Sequence, residues 1–150
     1  MILATCSEMR KAFLRNTKAA SALQGSHETC RGLLVFYGVE CGLKYLLMTE
    51  NGYKDTAKVG KRYTHDLLTM IRELRLAPSE LTPTPQGAVP PKTVSCLMQY
   101  STRKTLDFSE LHQAWRYGID IEEPTQLQIL VILDHLKFSL TTRIEGRRRD

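Results

Sequence analysis

Residues Arg31–Asn51 read RGLLVFYGVECGLKYLLMTEN, and this stretch decides the fold. Leu33, Leu34, Phe36, Tyr37, Val39, Leu43, Tyr45, Leu46, Leu47 and Met48 cover most of the circumference of a helix. A helix that is apolar nearly all round is buried on several sides. Gly38, Cys41 and Gly42 interrupt it with little or no side chain. Mid-helix Gly costs about 1 kcal/mol relative to Ala, so two of them predict a neighbouring backbone at close range. Glu40 and Lys44 lie four residues apart on one face, in the favourable order. They read either as an ion pair at a wet edge or as an internal pair that fixes register or touches a ligand.

Working outward, residues 2–22 carry an apolar stripe at helical spacing (Ile2, Cys6, Met9, Phe13, Thr17, Ala20) opposite Glu8, Lys11, Arg15 and Lys18. Gly25-Ser26 is a short break, with Ser26 as a candidate cap for the central helix, and short breaks make neighbouring helices antiparallel. Beyond Asn51-Gly52 a basic loop is expected through Tyr63. Thr64 then caps a third helix running to about Leu76, with Tyr63 and Leu68 as a staple. Pro78, Pro83, Pro85, Pro90 and Pro91 exclude regular helix between 78 and 91. Val94–Tyr100 is read as a short apolar helical turn. Thr105 or Asp107 caps a further helix that Gly118 ends, and Glu123-Pro124 opens the last one. The last helix has a core stripe of Ile129, Leu133, Leu136, Leu140 and Ile144, widened by Leu127, Leu130 and Val131. Nothing alternates as a half-buried strand does. The expectation is all-α: an up-and-down helical bundle of four long helices plus one or two short ones, occupying 1–145, with a basic tail at 146–150.

The 150 residues suffice for one domain with a real core, and 42% hydrophobic with 25% charged residues are ordinary globular values. The net charge of +5 permits a polyanionic partner without demanding one. Lys54, Lys58, Lys61 and Arg62 make segment 51–65 basic, as do Arg143 and Arg147–Arg149 at the end, whereas 105–123 is acidic. The four cysteines are scattered, with no CxxC, and read as reduced buried hydrophobes. No metal site, nucleotide loop, cofactor motif, signal peptide or charge-free membrane span is legible. A cytoplasmic protein is expected.

Three motifs in order carry a resemblance. Phe36-Tyr37-Gly38-Val39-Glu40-Cys41-Gly42-Leu43-Lys44-Tyr45-Leu46-Leu47 resembles the second-helix pattern of HEPN domains. Thr64-His65-Asp66-Leu67 resembles the His-Asp-Leu that opens their third helix. Ala114-Trp115-Arg116-Tyr117 is similar to their Ala-Arg-Tyr motif, with Trp inserted. The resemblance covers roughly 1–145. It implies a helical bundle, a homodimer, and a place in bacterial toxin–antitoxin or anti-phage defence systems beside a nucleotidyltransferase-like or other defence partner. It also implies, for many members, metal-independent ribonuclease activity through an Arg-x4-6-His motif. Here the arginines nearest before His27, His65, His112 and His135 leave 11, 2, 8 and 18 intervening residues, so that motif is absent.

Such RNA cleavage needs a base, an acid and a cation, which His and Arg supply. Two pairs could still serve: Arg62 with His65, and His112 with Arg116. Glu40, Lys44, Lys61, Tyr63, Trp115 and Tyr117 are the candidate nucleic-acid or ligand contacts. Tyr63, Trp115 and Tyr117 read equally as packing residues, and His65 equally as a structural helix-start residue. Three functions follow: a dimerising HEPN-like module that binds a partner protein or nucleic acid, a metal-independent endoribonuclease with a non-standard Arg/His site, or nucleotide or oligonucleotide sensing in the cleft beside Glu40 and Lys44.

Overall fold

The computed structural model describes residues 2–83, 90–97 and 103–147. Helices α1 (Cys6–Ala22), α2 (Glu28–Asn51), α3 (Ala57–Tyr63), α4 (Leu67–Glu73) and α5 (Pro78–Leu81) come first. Strands β1 (Thr93–Leu97) and β2 (Arg103–Asp107) follow, then a 3-10 turn over Phe108–Glu110 and α6 (Leu111–Arg116). Strand β3 (Asp120–Ile121) and α7 (Glu123–Gly146) complete the chain. The protein is mostly helical, and the central stretch is its core helix. Phe36, Val39, Leu43, Leu46 and Met48 have no exposed surface. Helix α2 is long and apolar enough to cross a membrane by length and composition, but 67% of its most apolar window is buried inside the protein.

The small residues do what their cost predicts. A Cβ on Gly38 would meet Thr17 Cγ2 of α1 at 2.8 Å, and one on Gly42 would meet Phe13 Cδ2 at 2.9 Å. Gly32 admits the Trp115 indole in the same way, at 2.8 Å. Helix α1 therefore lies against α2 along Phe13 and Thr17, with Met9 and Ala20 continuing the buried stripe. Its start is fixed by a capping box between Thr5 and Glu8, which leaves Ile2 outside the helix and 94% exposed.

Several boundaries differ from expectation. Ser26 does not cap α2: its hydroxyl donates to the Leu23 carbonyl, and His27 enters the helix from a left-handed conformation (φ 49°). The expected basic loop contains α3. The expected third helix begins later, because Asp66 and not Thr64 accepts from the Thr69 amide at 3.0 Å. Tyr63 thus ends α3 instead of stapling α4. Helix α4 closes with Arg75 in the left-handed region (φ 53°) and the Leu76 amide donating back to the Ile71 carbonyl at 3.2 Å. Pro78 opens a single turn, α5, as proline can at a first helical position. Pro85, Tyr100, Arg148 and Arg149 lie outside the described residues. Only α1, α2 and α7 are long.

The main correction is a sheet where a helical turn was expected. Strand β1 pairs antiparallel with β2 on one side (Val94 opposite Leu106) and with β3 on the other (Cys96 opposite Ile121). Val94, Cys96, Leu106 and Ile121 all face the core, 0–9% exposed, while Thr93, Thr105, Asp107 and Asp120 are exposed on the other face; Lys104, opposite Cys96 on the edge strand, is the exposed exception. This is the two-residue period of a half-buried strand. The sheet also has a positional role. Strand β2 runs directly into the 3-10 turn and α6, and the Phe108 amide donates to the Lys92 carbonyl at 3.0 Å, which anchors α6 against α2.

Helix α7 buries Ile129, Leu133, Leu136, Leu140 and Ile144 as the stripe predicts. Leu130 is buried with them, but Leu127 and Val131 are 52% and 53% exposed, because they lie on the face turned from α2.

Candidate functional site

Glu40 and Lys44 form the base of the site. Both are buried on α2, and Lys44 Nζ donates to Glu40 Oε1 at 2.6 Å. The wet-edge reading is therefore replaced by the internal one. The second carboxylate oxygen of Glu40 bonds His65 Nδ1 at 2.8 Å. With Glu40 ionised, Nδ1 carries the hydrogen and Nε2 is left to exchange protons.

His65 sits in the turn between α3 and α4, and its side chain is 45% exposed. Its position is set by an unusual neighbour. Thr64 has φ 46° and ψ −106°, a backbone conformation that a β-branched residue adopts only under strain. Asp66, on the other side, is fixed by capping α4. His65 is thus held from both sides by the chain and from beneath by Glu40.

His112, near the start of α6, comes to the same place. Its ring stacks on Phe36 at 5.2 Å, lies 5.8 Å from Tyr37, and reaches within 4.2 Å of the His65 ring, centroid to centroid. It is 4% exposed, and its Nδ1 is buried with no partner at full hydrogen-bond geometry, although the Ser109 backbone lies close enough to favour the charged form. Burial is the main cause that lowers its pKa, with the nearby His65 next and Arg116 adding to it. Glu40 and the Ser109 backbone oppose the shift without cancelling it. His112 is therefore held in its neutral form near pH 7, next to a second imidazole anchored on a carboxylate.

The arginines of the two Arg–His pairs read from the sequence have different surroundings. Arg116 lies one helical turn beyond His112, exposed, and has no carboxylate partner among the described residues; its guanidinium lies 5.5 Å from the Tyr117 ring centre. Arg62 is drawn to Glu73 instead, at 2.8 Å. Glu73 also accepts from the Tyr63 hydroxyl, whose pKa burial and that carboxylate push up to about 12. Tyr63 and Trp115 are 4% and 3% exposed, and the Trp115 indole donates to Gln126 Oε1 at 3.1 Å. Neither has a free face for a base. Tyr117 is 67% exposed and Lys61 is exposed, so both remain open to a ligand.

Asp134 holds Arg31 at 2.7 Å and His135 Nε2 bonds the Ser79 carbonyl, so each of these two neighbours has its own partner. All four cysteines are free. Cys41 beside Glu40 is pushed up to about 11 by burial and is inert as a nucleophile, whereas Cys30 is exposed and not buried as expected. Among the described residues no group of three or more His, Cys, Asp or Glu side chains is arranged to hold a metal ion. Arg147, the first arginine of the expected tail, is tied to Thr49 and Glu50 of α2.

The sequence named Glu40, Lys44, His65, His112 and Arg116 separately. It did not reveal that His65 and His112 touch, that Thr64 is strained, or that Glu73 removes Arg62. No family model matches the chain, and no curated protein or solved structure matches it.

Proposed function

We propose that this chain is a HEPN-like helical protein that cleaves RNA without a metal, using His65 and His112 as the acid–base pair and Arg116 as the phosphate cation. The observation that carries the reading is the 4.2 Å contact between a neutral, buried imidazole and a second one anchored on Glu40. Two imidazoles in unequal surroundings offer one vacancy for a proton and one proton to give. RNA suits such a pair because its own 2′-hydroxyl is the nucleophile. Its proton passes to the neutral imidazole while the 2′-oxygen attacks phosphorus. The departing 5′-oxygen takes a proton from the second imidazole, which Glu40 orients. Arg116 accommodates the extra negative charge on the phosphorane. His65 is the ring that faces solvent, and it stands over the buried His112. In this reading α1, α2, α7 and the split α3–α4 stand for the four helices of the up-and-down bundle.

The test is incubation of the purified protein with total RNA in excess chelator. Cleavage that survives the chelator and is lost in His65→Ala and His112→Ala, with Arg62→Ala near wild type, supports the reading. Absence of cleavage at high protein concentration, or cleavage unchanged in both His variants, overturns it.

A second reading, a dimerising interaction module in a cytoplasmic bacterial defence or toxin–antitoxin complex, is favoured by one other observation. Leu127, Val131 and Phe138 are 52%, 53% and 67% exposed and fall on one line along α7, interrupted by Asp134 where it bonds Arg31. An apolar stripe of this kind suits a second copy of the chain or a nucleotidyltransferase-like partner.

A further inference from the structure

Away from the histidines, the short α4, the turn after it, α5 and the segment entering β1 enclose a cleft of about 560 Å³. Leu68, Ile71, Leu76, Leu81 and Pro90 make its walls, which are aliphatic and carry no aromatic ring. Three cations stand at its edge, Arg72, Arg75 and Lys92. All three are exposed, and none has a hydrogen bond or ion pair from its side chain among the described residues. This differs from Arg31, Arg62, Arg143 and Arg147, each of which holds a carboxylate. A second, polar cavity of about 340 Å³ shares Leu68, Arg72 and Lys92 and brings in Asp66 and Asp107. Arg72 and Lys92 thus stand where an apolar space meets a polar one, with Arg75 on the apolar side.

We propose that this cleft binds an amphipathic anion, with its aliphatic body against Leu68, Ile71 and Leu81 and its carboxylate or phosphate on Arg72, Arg75 and Lys92. The volume lies within the range of small-molecule sites, and apolar walls with a few convergent polar groups are their usual composition. The lack of aromatic rings argues for an alkyl body over a nucleobase, which gains most of its binding by stacking. Orientation follows from charge. The carboxylates of Asp66 and Asp107 repel an anionic head from the far end of the polar cavity, so the head stays between the guanidinium groups, where charge-assisted bonds are strongest. This binding does not depend on the RNA chemistry, although the polar cavity reaches Asp66 and Ser109, which border His65 and His112.

Dodecanoate, below its micelle concentration, is titrated into the whole protein while the methyl signals of Leu68, Ile71 and Leu81 are followed by NMR. Dodecyl phosphate, dodecanol and acetate are run in parallel. Saturable one-to-one binding is expected for the two long-chain anions, with shifts at those methyls and none at Ile129 or Leu133. Dodecanol and acetate bind much more weakly. Arg72→Gln with Arg75→Gln weakens dodecanoate by about tenfold or more, as loss of hydrogen bonds to a charged group predicts. Both substitutions are at exposed side chains, and an unchanged melting temperature shows that the fold is kept. Vesicles of anionic phospholipid distinguish the source: sedimentation with them identifies a lipid headgroup, and monomer binding alone identifies a free amphiphile. Equal affinity for dodecanol, no effect of the double variant, or methyl shifts elsewhere overturns the proposal. So does an acidic apolar peptide that binds where dodecanoate does not, which makes the cleft a protein-docking site.

Discussion

Glu40 bonds His65 Nδ1 at 2.8 Å with one carboxylate oxygen and Lys44 Nζ at 2.6 Å with the other, so one buried side chain neutralises a lysine and orients an imidazole. A carboxylate with this double duty is costly to remove, because its loss leaves Lys44 charged and buried without a partner. Glu40→Ala is expected to destabilise the fold by about 3 kcal/mol, whereas the double change Glu40→Leu with Lys44→Met recovers most of that loss. Urea unfolding of both variants measures it. A loss below about 1 kcal/mol for Glu40→Ala would mean that the pair is worth no more than a solvated one.

His112 sets a pH dependence whose sign is fixed by burial. Its pKa is lowered in the folded state, first by burial and then by His65, from an ordinary value of 6.5. The folded protein therefore binds fewer protons than the unfolded chain in this range. The stability linked to His112 is fully present above pH 6.5 and is lost as pH falls from there towards its depressed folded value. His112→Phe keeps a ring against Phe36 and removes the titration. Urea midpoints from about pH 5 to 8 should slope for the wild type and slope less for the variant, in which His27, His65 and His135 remain. Parallel slopes would show that the linkage belongs elsewhere.

The central helix, its glycines and the Glu40–Lys44 pair were legible because each rests on local spacing. Gly38 and Gly42 announce a close neighbour whatever that neighbour is. The sheet was legible in principle: Val94, Cys96 and Leu106 alternate with Thr93, Thr105 and Asp107. The strands are too short, though, for alternation to outweigh a helical reading of an apolar run. The meeting of His65 with His112 was not legible. It depends on how β2 delivers α6 onto α2, a long-range relation that no local pattern encodes. The capture of Arg62 by Glu73 is likewise a matter of how α3 and α4 fold onto each other.

Thr64 predicts a trade between stability and activity. Its φ of 46° is strained for a β-branched residue, and its exposed side chain makes no hydrogen bond among the described residues. Thr64→Gly removes strain of about 1–3 kcal/mol and adds back somewhat less than 1 kcal/mol of chain entropy, for a net gain of about 1 kcal/mol. The same change loosens the turn that holds His65. A raised melting temperature with reduced RNA cleavage is expected. A lowered melting temperature would show that the conformation is not strained.

The α7 stripe gives a test of self-association that is independent of the histidines. Phe138 is 67% exposed, and its one ring neighbour among the described residues is His135, at 6.4 Å. Phe138→Asp and Val131→Glu place charge on this line without entering the core. If the stripe joins two copies, light scattering after size exclusion shows a dimer for the wild type and a monomer for either variant, each still helical by circular dichroism. A wild-type monomer at micromolar concentration leaves the stripe to a different partner.

Gly60 of α3 and Gly42 of α2 supply a prediction with opposite signs at two sites. Gly→Ala raises helix propensity by about 1 kcal/mol wherever there is room. On α3, a Cβ at Gly60 would meet nothing within 4 Å, so Gly60→Ala should raise stability by close to that amount. On α2, a Cβ at Gly42 would meet Phe13 Cδ2 at 2.9 Å and Leu140 Cδ1 at 3.2 Å, from α1 and α7 at once. Phe13 is fully buried and cannot move without displacing its own neighbours. The overpacking cost, about 1–3 kcal/mol, then exceeds the propensity gain, and Gly42→Ala should lower stability. Thermal or urea unfolding of the two variants side by side decides it. A stabilised Gly42→Ala would mean that α1 and α7 stand further from α2 than these contacts require, and that the small residues of the central helix have no packing role.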